Sequence, residues 1–245
     1  MRGVGRGVSA LSAWGRLVVG SALVVGGCVA VVAISWAASS QNRVGASAVR
    51  GDVEAVVVDA GDGAVEIVGG GERPDILVRR TERTAFGRRP EIDREVRDGV
   101  LRLRSRCPSG VLTGCENAWR VTIPDNTPVT VRTGAGAVTL RGLRGSATVT
   151  TGSGTVRVRE FCGFALEVRS DSGALEADTT CAPERLSLRS RSGDVAAVVP
   201  AGRYRLDADA DRGAARVTGI DVTGDAPFEL QALSGEGDVR VEGQE

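Results

Sequence analysis

The chain has 245 residues, and its 31 basic and 31 acidic residues give a formal charge of zero. A neutral chain lacks the electrostatic footprint of a nucleic-acid binder. It contains no histidine, which removes Ser-His-Asp and Cys-His catalysis and the commonest zinc ligand. Glycine is abundant at 34 residues and aromatics make up only 3%, so the core must be built from Val, Leu, Ala and Ile, a composition that suits strands.

Residues 1–16 carry Arg2, Arg6 and Arg16 and read as a cytoplasmic N-terminus. Residues 17–36, "LVVGSALVVGGCVAVVAISW", run without a charge. A bilayer-spanning helix needs about 20 apolar residues, and the arginines before it orient residues 37–245 to the outside. Trp14 and Trp36 fall at the two interfaces. The run exceeds the core of a signal peptide, which favours a retained signal anchor. Cleavage near "SWAAS" and lipidation at Cys28 are the competing fates, and "VAVVAIS" after Cys28 stays apolar where a lipoprotein would turn polar. Residues 37–50, "AASSQNRVGASAVR", read as a flexible linker.

From residue 51 the pattern changes to short alternating runs. Around Gly63, aliphatic residues stand at fixed offsets: Val56, Val58 and Ala60 seven, five and three before it, Val65 and Ile67 two and four after. Gly99 fits the same frame in part, with Ile92 before it and Leu101 and Leu103 after, but Arg94 breaks the row. Between them, "DILVRRTE" and "EIDREVRDG" predict strands of a longer excursion. The segment "GGGERPD" at 69–75 has a glycine-rich look, but it lacks the following helix that a phosphate site needs and reads as a loop. Cys107 and Cys115 bracket "PSGVLTG" between two predicted strands and would pinch the tip of a hairpin.

The frame then repeats. Gly136, Gly154, Gly173, Gly193, Gly213 and Gly237 follow one another at spacings of 18, 19, 20, 20 and 24 residues. Seven before them stand Val129, Ala147, Leu166, Leu186, Leu206 and Leu230; five before, Val131, Val149, Val168, Leu188, Ala208 and Ala232. Two and four after come further aliphatic columns, from Val138 and Leu140 to Val239 and Val241. A small residue sits three before each glycine: Thr133, Thr151, Ser170, Ser190, Ala210 and Ser234. Alternation on both sides of a glycine predicts two short strands joined at a corner, where the glycine bends the chain and takes a positive φ. A fixed period of about twenty residues predicts units stacked about 4.8 Å apart into one core. The expected fold is all-β, a solenoid-like stack of strand–turn–strand repeats over residues 51–243. An eight- to ten-stranded sandwich is the rival.

The stretch "WRVTIPDNTPVTVRTGAGAVTLRGLRGSATVTTGSGTVRV" resembles the bacterial putative-adhesin family. The resemblance extends over roughly residues 50–243. It implies repeated "G-x-V-x-V" strands after a "V-x-I/V-P" strand, one N-terminal transmembrane helix, surface adhesion, and no catalytic residues.

Four cysteines lie outside the apolar segment, and four allow three pairings. Cys162 and Cys181 stand 11 and 12 residues before Gly173 and Gly193, so the frame places them at equivalent corners of neighbouring units. The expected bridges are Cys162–Cys181 and Cys107–Cys115, as befits an exported domain. "DADADRG" sets Asp207, Asp209 and Asp211 at alternate positions, as a calcium loop begins, yet glycine comes seventh and Thr218 stands where the twelfth-place glutamate belongs. The plainer reading points the three carboxylates to water. Arg132, Arg169 and Arg189 share one outward offset and, with Arg157, Arg159, Arg191, Arg203 and Arg205, are expected to form a basic strip for acidic wall polymers or lipid head groups. An enzyme acting on polysaccharide would need clustered carboxylates and aromatic platforms, and past the apolar segment the sequence offers one tryptophan, Trp119, and one tyrosine, Tyr204. The sequence therefore points to a non-enzymatic surface protein, an adhesin or envelope scaffold without cofactor, held by a single membrane span. Its partner is expected to be a cell-wall polymer or surface protein. An envelope-stress or signalling accessory that binds a protein is the alternative.

Overall fold

The computed structural model describes residues 25–31, 41–70, 75–84, 89–108 and 115–244. Of the apolar stretch 17–36 only 25–31 falls within them, as a helical turn with Val25, Val29 and Val31 exposed. No helix among the described residues is long and apolar enough to cross a membrane.

Twenty strands follow. The first seven are β1 (Gln41–Val49), β2 (Ala55–Asp59), β3 (Ala64–Gly69), β4 (Ile76–Thr84), β5 (Glu91–Arg97), β6 (Val100–Arg106) and β7 (Cys115–Ile123). The regular part comprises β8 (Val129–Thr133), β9 (Val138–Arg141), β10 (Ala147–Thr151), β11 (Val156–Phe161), β12 (Ala165–Ser170), β13 (Leu175–Thr179), β14 (Arg185–Ser190) and β15 (Val195–Pro200). The last five are β16 (Arg203–Arg212), β17 (Ala215–Thr218), β18 (Asp221–Val222), β19 (Phe228–Glu236) and β20 (Val239–Gln244). They form two ten-stranded sheets. Sheet A runs β1-β4-β7-β3-β9-β11-β13-β15-β20-β17, and sheet B runs β18-β16-β19-β14-β12-β10-β8-β2-β6-β5. Each repeat gives one strand to each sheet, and neighbouring repeats pair in parallel. That parallel pairing makes the chain a solenoid-like stack.

The glycine frame sets the register. Val129, Ala147, Leu166, Leu186 and Leu230 lie side by side in sheet B. Val138, Val156, Leu175, Val195 and Val239 do the same in sheet A. All ten are buried. One strand from each repeat cannot cover its aliphatic row alone, and the rungs above and below remove it from water.

The corners differ from expectation in their cause. Apart from Gly237, the corner glycines do not have positive φ. They are glycines because the rungs touch there. A Cβ on Gly136, Gly154, Gly173 or Gly193 would drive into the carbonyl of Gly63, Gly136, Gly154 or Gly173 respectively, one rung away. The small hydroxyl residue three positions earlier completes the corner. The N–H groups of Gly136, Gly154 and Gly173 donate to the hydroxyls of Thr133, Thr151 and Ser170 at 3.1, 3.0 and 2.6 Å. The hydroxyls of Thr133, Ser190 and Ser234 donate onward to the carbonyls of Gly63, Gly173 and Gly193 at 3.2, 3.1 and 2.9 Å.

Four further expectations are corrected. Residues 41–49 of the supposed linker form β1, which pairs antiparallel with β4 along its whole length. Gly99 is not a corner. Asp98 and Gly99, with φ of 52° and 72°, make the two-residue turn that joins β5 and β6 as an antiparallel hairpin. Leu101 and Leu103 consequently pair with Val56 and Val58 in sheet B rather than facing them from sheet A. The Cys107–Cys115 bridge, with Cα atoms 5.8 Å apart, closes no hairpin, because β6 and β7 belong to opposite sheets. It ties the two sheets at a corner. Cys162 and Cys181 are bridged across adjacent rungs with Cα atoms 4.8 Å apart.

The last correction concerns order. The Gly237 unit does not follow the Gly213 unit along the stack. Strands β19 and β20 lie between β14/β15 and β16/β17. Composition fits the arrangement, since the Gly237 unit carries Val239 where the Gly213 unit carries Ala215. Leu230, Ala232, Val239 and Val241 are fully buried, whereas Ala208 is half-buried and Ala215 is exposed. The more aliphatic unit takes the inner place.

Two comparisons test this architecture. Leu186→Asp, which puts an unpaired charge into the core, should cost at least about 3 kcal/mol, while outward Arg189→Asp should cost about 1 kcal/mol or less. Gly173→Ala should destabilise by about 1–3 kcal/mol through overpacking. Gly224→Ala, with nothing near its added Cβ, should be close to neutral. Urea unfolding reads all four.

Candidate interaction surfaces

The stacked core fills the space between the sheets, so chemistry is confined to the outer faces, the corners and the two ends. On sheet A the outward residues form ion pairs between rungs. Arg120 donates two hydrogen bonds of 2.7 Å to Glu66, and these hold the Glu66 carboxyl below its ordinary range. Arg157 and Arg159 both reach Glu176, at 3.3 and 3.2 Å.

Sheet B carries a different row. Pairing aligns Arg104, Asp59, Arg132, Thr150, Arg169, Arg189, Leu233 and Asp209 across successive strands. Its middle is basic. Arg169 pairs with Glu167 at 2.5 Å, and Arg189 donates to Gln231 at 2.8 Å. The expected strip of eight arginines is thus divided. Arg132, Arg169 and Arg189 share sheet B with Arg203 and Arg205, but Arg157 and Arg159 point from sheet A on the opposite side. Arg191 sits at the corner, paired with Asp171 at 3.0 Å. The split follows from the frame: offsets before the glycine lie on one sheet and offsets after it on the other.

Asp207, Asp209 and Asp211 lie along β16 with exposed side chains. Alternate residues of a strand stand about 6.8 Å apart, so the three carboxylates do not converge on one ion. Asp207 instead accepts from Gln231 at 2.7 Å. Among the described residues no group of three or more metal-ligating side chains comes together. Residues 71–74 of the "GGGERPD" loop lie outside the described residues.

Neither Trp119 nor Tyr204 forms a platform. Trp119 is buried, donates from Nε1 to the Ser105 hydroxyl at 2.8 Å and lies under the Arg80 guanidinium, 5.8 Å from the ring centre. Tyr204 is 1% exposed. Its hydroxyl donates to the Pro200 carbonyl at 2.8 Å, and its ring tilts against Phe228.

Comparison with known proteins places the regular rungs. Residues 126–242 match the Toastrack family, DUF4097. This stretch resembles a Toastrack domain. It holds every rung from β8/β9 to β19/β20. No curated protein matches the chain. Among solved structures, a putative cell adhesion protein from Clostridium sporogenes is similar at 15% identity, with a TM-score of 0.48, over 83% of this chain and 100% of its own. A putative adhesin from Bacteroides fragilis is similar at 15% identity, with a TM-score of 0.41, over 81% and 97%. A putative lipid binding protein from Parabacteroides distasonis gives 9% identity and a TM-score of 0.29 over 82% and 95%.

The Toastrack rungs end beside Tyr204, the chain's single tyrosine. Burial raises its pKa above the ordinary value of 10.0. A raised folded pKa means that the stability of the neutral form is complete below about pH 10 and is lost as pH rises through the folded value. Absorbance of the tyrosinate should therefore appear only above pH 10, together with unfolding. Tyr204→Phe should flatten the alkaline loss of melting temperature while costing about 1 kcal/mol at neutral pH.

Proposed function

We propose that this chain is a non-enzymatic protein of the extracytoplasmic surface. Residues 17–36 anchor it as a single span, and residues 37–245 stand outside as an adhesin or scaffold. The observation that carries the reading is the form of the domain: a solid stack whose working surfaces are the outer faces of two sheets, one with an arginine row. Two disulfides support an oxidising compartment. The 20-residue apolar run preceded by Arg2, Arg6 and Arg16 supports the anchor. The row Arg132, Arg169 and Arg189 suits an acidic wall polymer, whose repeating charges meet arginines on neighbouring rungs.

The alternative role, an envelope-stress or signalling accessory that binds a protein partner, is favoured by the sheet edge at the C-terminal end of the stack. The two roles separate in one experiment. The full-length chain in detergent should bind isolated cell wall, and replacing Arg132, Arg169 and Arg189 by Glu should weaken binding about tenfold and remove its salt dependence. Equal binding by both proteins would reject the polymer reading. A reporter fused after residue 245 should be active only outside the cytoplasm.

A further inference from the structure

The β16/β17 rung is outermost because the C-terminal segment inserts beneath it. On its far side β18 covers only the start of β16, pairing Asp221 and Val222 with Arg203 and Tyr204. From Arg205 to Arg212 the outer edge of β16 has no neighbouring strand among the described residues. The N–H groups of Asp221 and Thr223 bond the carbonyls of Gly202 and Tyr204, so the even-numbered residues of β16 face this edge. Alternation then directs the N–H and C=O groups of Leu206, Ala208 and Ala210 to the free side.

The side chains repeat the message. Leu206, Ala208 and Ala210 continue the aliphatic row of sheet B but are only half-buried, and Val217 and Val222 are 37% and 55% exposed. One more strand would cover the inner row as β19 covers β14. Asp207, Asp209 and Asp211 line the outer face of the same edge, and among the described residues Asp209 and Asp211 have no ion-pair partner. The opposite end of the stack is closed differently. The hairpin strand β5 carries Glu91, Asp93, Glu95 and Arg97 outward, and Arg94 bonds the Ser47 hydroxyl at 2.7 Å across to sheet A. An inward-facing charge such as Arg94, opposite the buried Leu103, protects an edge from pairing, and β16 has none between Leu206 and Ala210.

A second copy does not fit the free edge. Two antiparallel copies of Arg205–Arg212 that keep Leu206, Ala208 and Ala210 inward set Asp opposite Asp in every register longer than three residues. Like charges directly opposite one another destabilise such pairs. Stacking the β5 end of another copy onto it brings Glu91, Asp93 and Glu95 against the aspartates.

We infer that the edge of β16 receives, by strand addition, an extended segment of another protein in which Arg or Lys alternates with aliphatic residues. Backbone groups of Leu206, Ala208 and Ala210 supply affinity, the aliphatic row takes the inward side chains, and Asp207, Asp209 and Asp211 select the basic ones. The inference stands apart from the arginine row of sheet B.

The probe is a fluorescent hexapeptide of alternating arginine and valine, titrated into the full-length chain in detergent. It should bind at least about tenfold more tightly than a glutamate–valine hexapeptide or an arginine–valine peptide with its arginines in one block. Ala208→Pro removes an outward N–H and leaves the β19 pairing intact, so it should abolish binding at unchanged melting temperature. Asp209→Arg with Asp211→Arg, at exposed positions, should reverse the preference between the two alternating peptides and provides the same test if the proline variant unfolds. Replacing Arg132, Arg169 and Arg189 by Glu should leave peptide binding in place even where wall binding is lost. Equal binding of the blocked peptide, no reversal in the double arginine variant, or a dimer of the full-length chain that excludes the peptide would overturn the proposal.

Discussion

The stack depends on contact between backbones at its corners. From Gly136 onward, each corner glycine lies so close to the glycine carbonyl of a neighbouring rung that a methyl group has no room, and Gly63 lies as close to Asn117. A neighbouring Ser or Thr hydroxyl accepts from one N–H and, at several corners, donates to the next carbonyl. Corners are where a solenoid would otherwise leave backbone groups unpaired and buried, at a cost of about 1–3 kcal/mol each. Satisfying them within the repeat lets the aliphatic rows approach to strand spacing. Burial of the rows follows from this approach, since Val, Leu and Ala side chains reach their neighbours only when the rungs do.

Both ends of the stack depart from chain order, with opposite outcomes. At the start, β6/β7 lies outside β2/β3, and the chain returns to lay β8/β9 on the other side. There an antiparallel hairpin, two extra antiparallel strands, β4 and β1, and inward polar side chains finish the core. At the far side β16/β17 is outermost, with Ala215 and Val217 exposed and the β16 edge open beyond β18. A solenoid needs polar caps to stay monomeric. This one has at one end a cap rich in charged side chains and, at the other, a strand with an acidic outer face and an aliphatic inner one.

Much of this was legible in the residues. Period-two alternation around recurrent glycines gave the strands, the rows and the register, because an aliphatic residue on the wrong face of a strand would be exposed. The Cys162–Cys181 spacing matched one rung. Rank along the stack was not legible. In the four aliphatic columns the units at Gly213 and Gly237 differ only by Ala215 against Val239, and a column states what a strand pairs with in register, not which rung it joins. Gly99 misled for a related reason. Leu101 and Leu103 suit either sheet, and Asp98–Gly99 was the hairpin signal that separated the cases. The arginine strip was misjudged because offsets on the two sides of a corner look alike in sequence yet point in opposite directions. The corner glycines were found for the wrong cause, since a steric limit imposed by another rung leaves the same letter as a left-handed turn.

The inserted C-terminal rung also gives the chain a direction in time. A solenoid that adds each unit to the last can grow as its polypeptide emerges, since every new rung finds a finished surface. Here β16 and β17 emerge before the rung on which they rest. Until Phe228–Gln244 arrives, the aliphatic row of β14 and β15 has no neighbour on that side. Completion of the fold therefore reports that the chain has been delivered as far as Gln244, and a product cut short after β17 would carry an unfilled slot between two sets of strand edges. The arrangement makes an incomplete chain chemically distinct from a finished one, and so recognisable to any protease or chaperone that binds extended aliphatic strands.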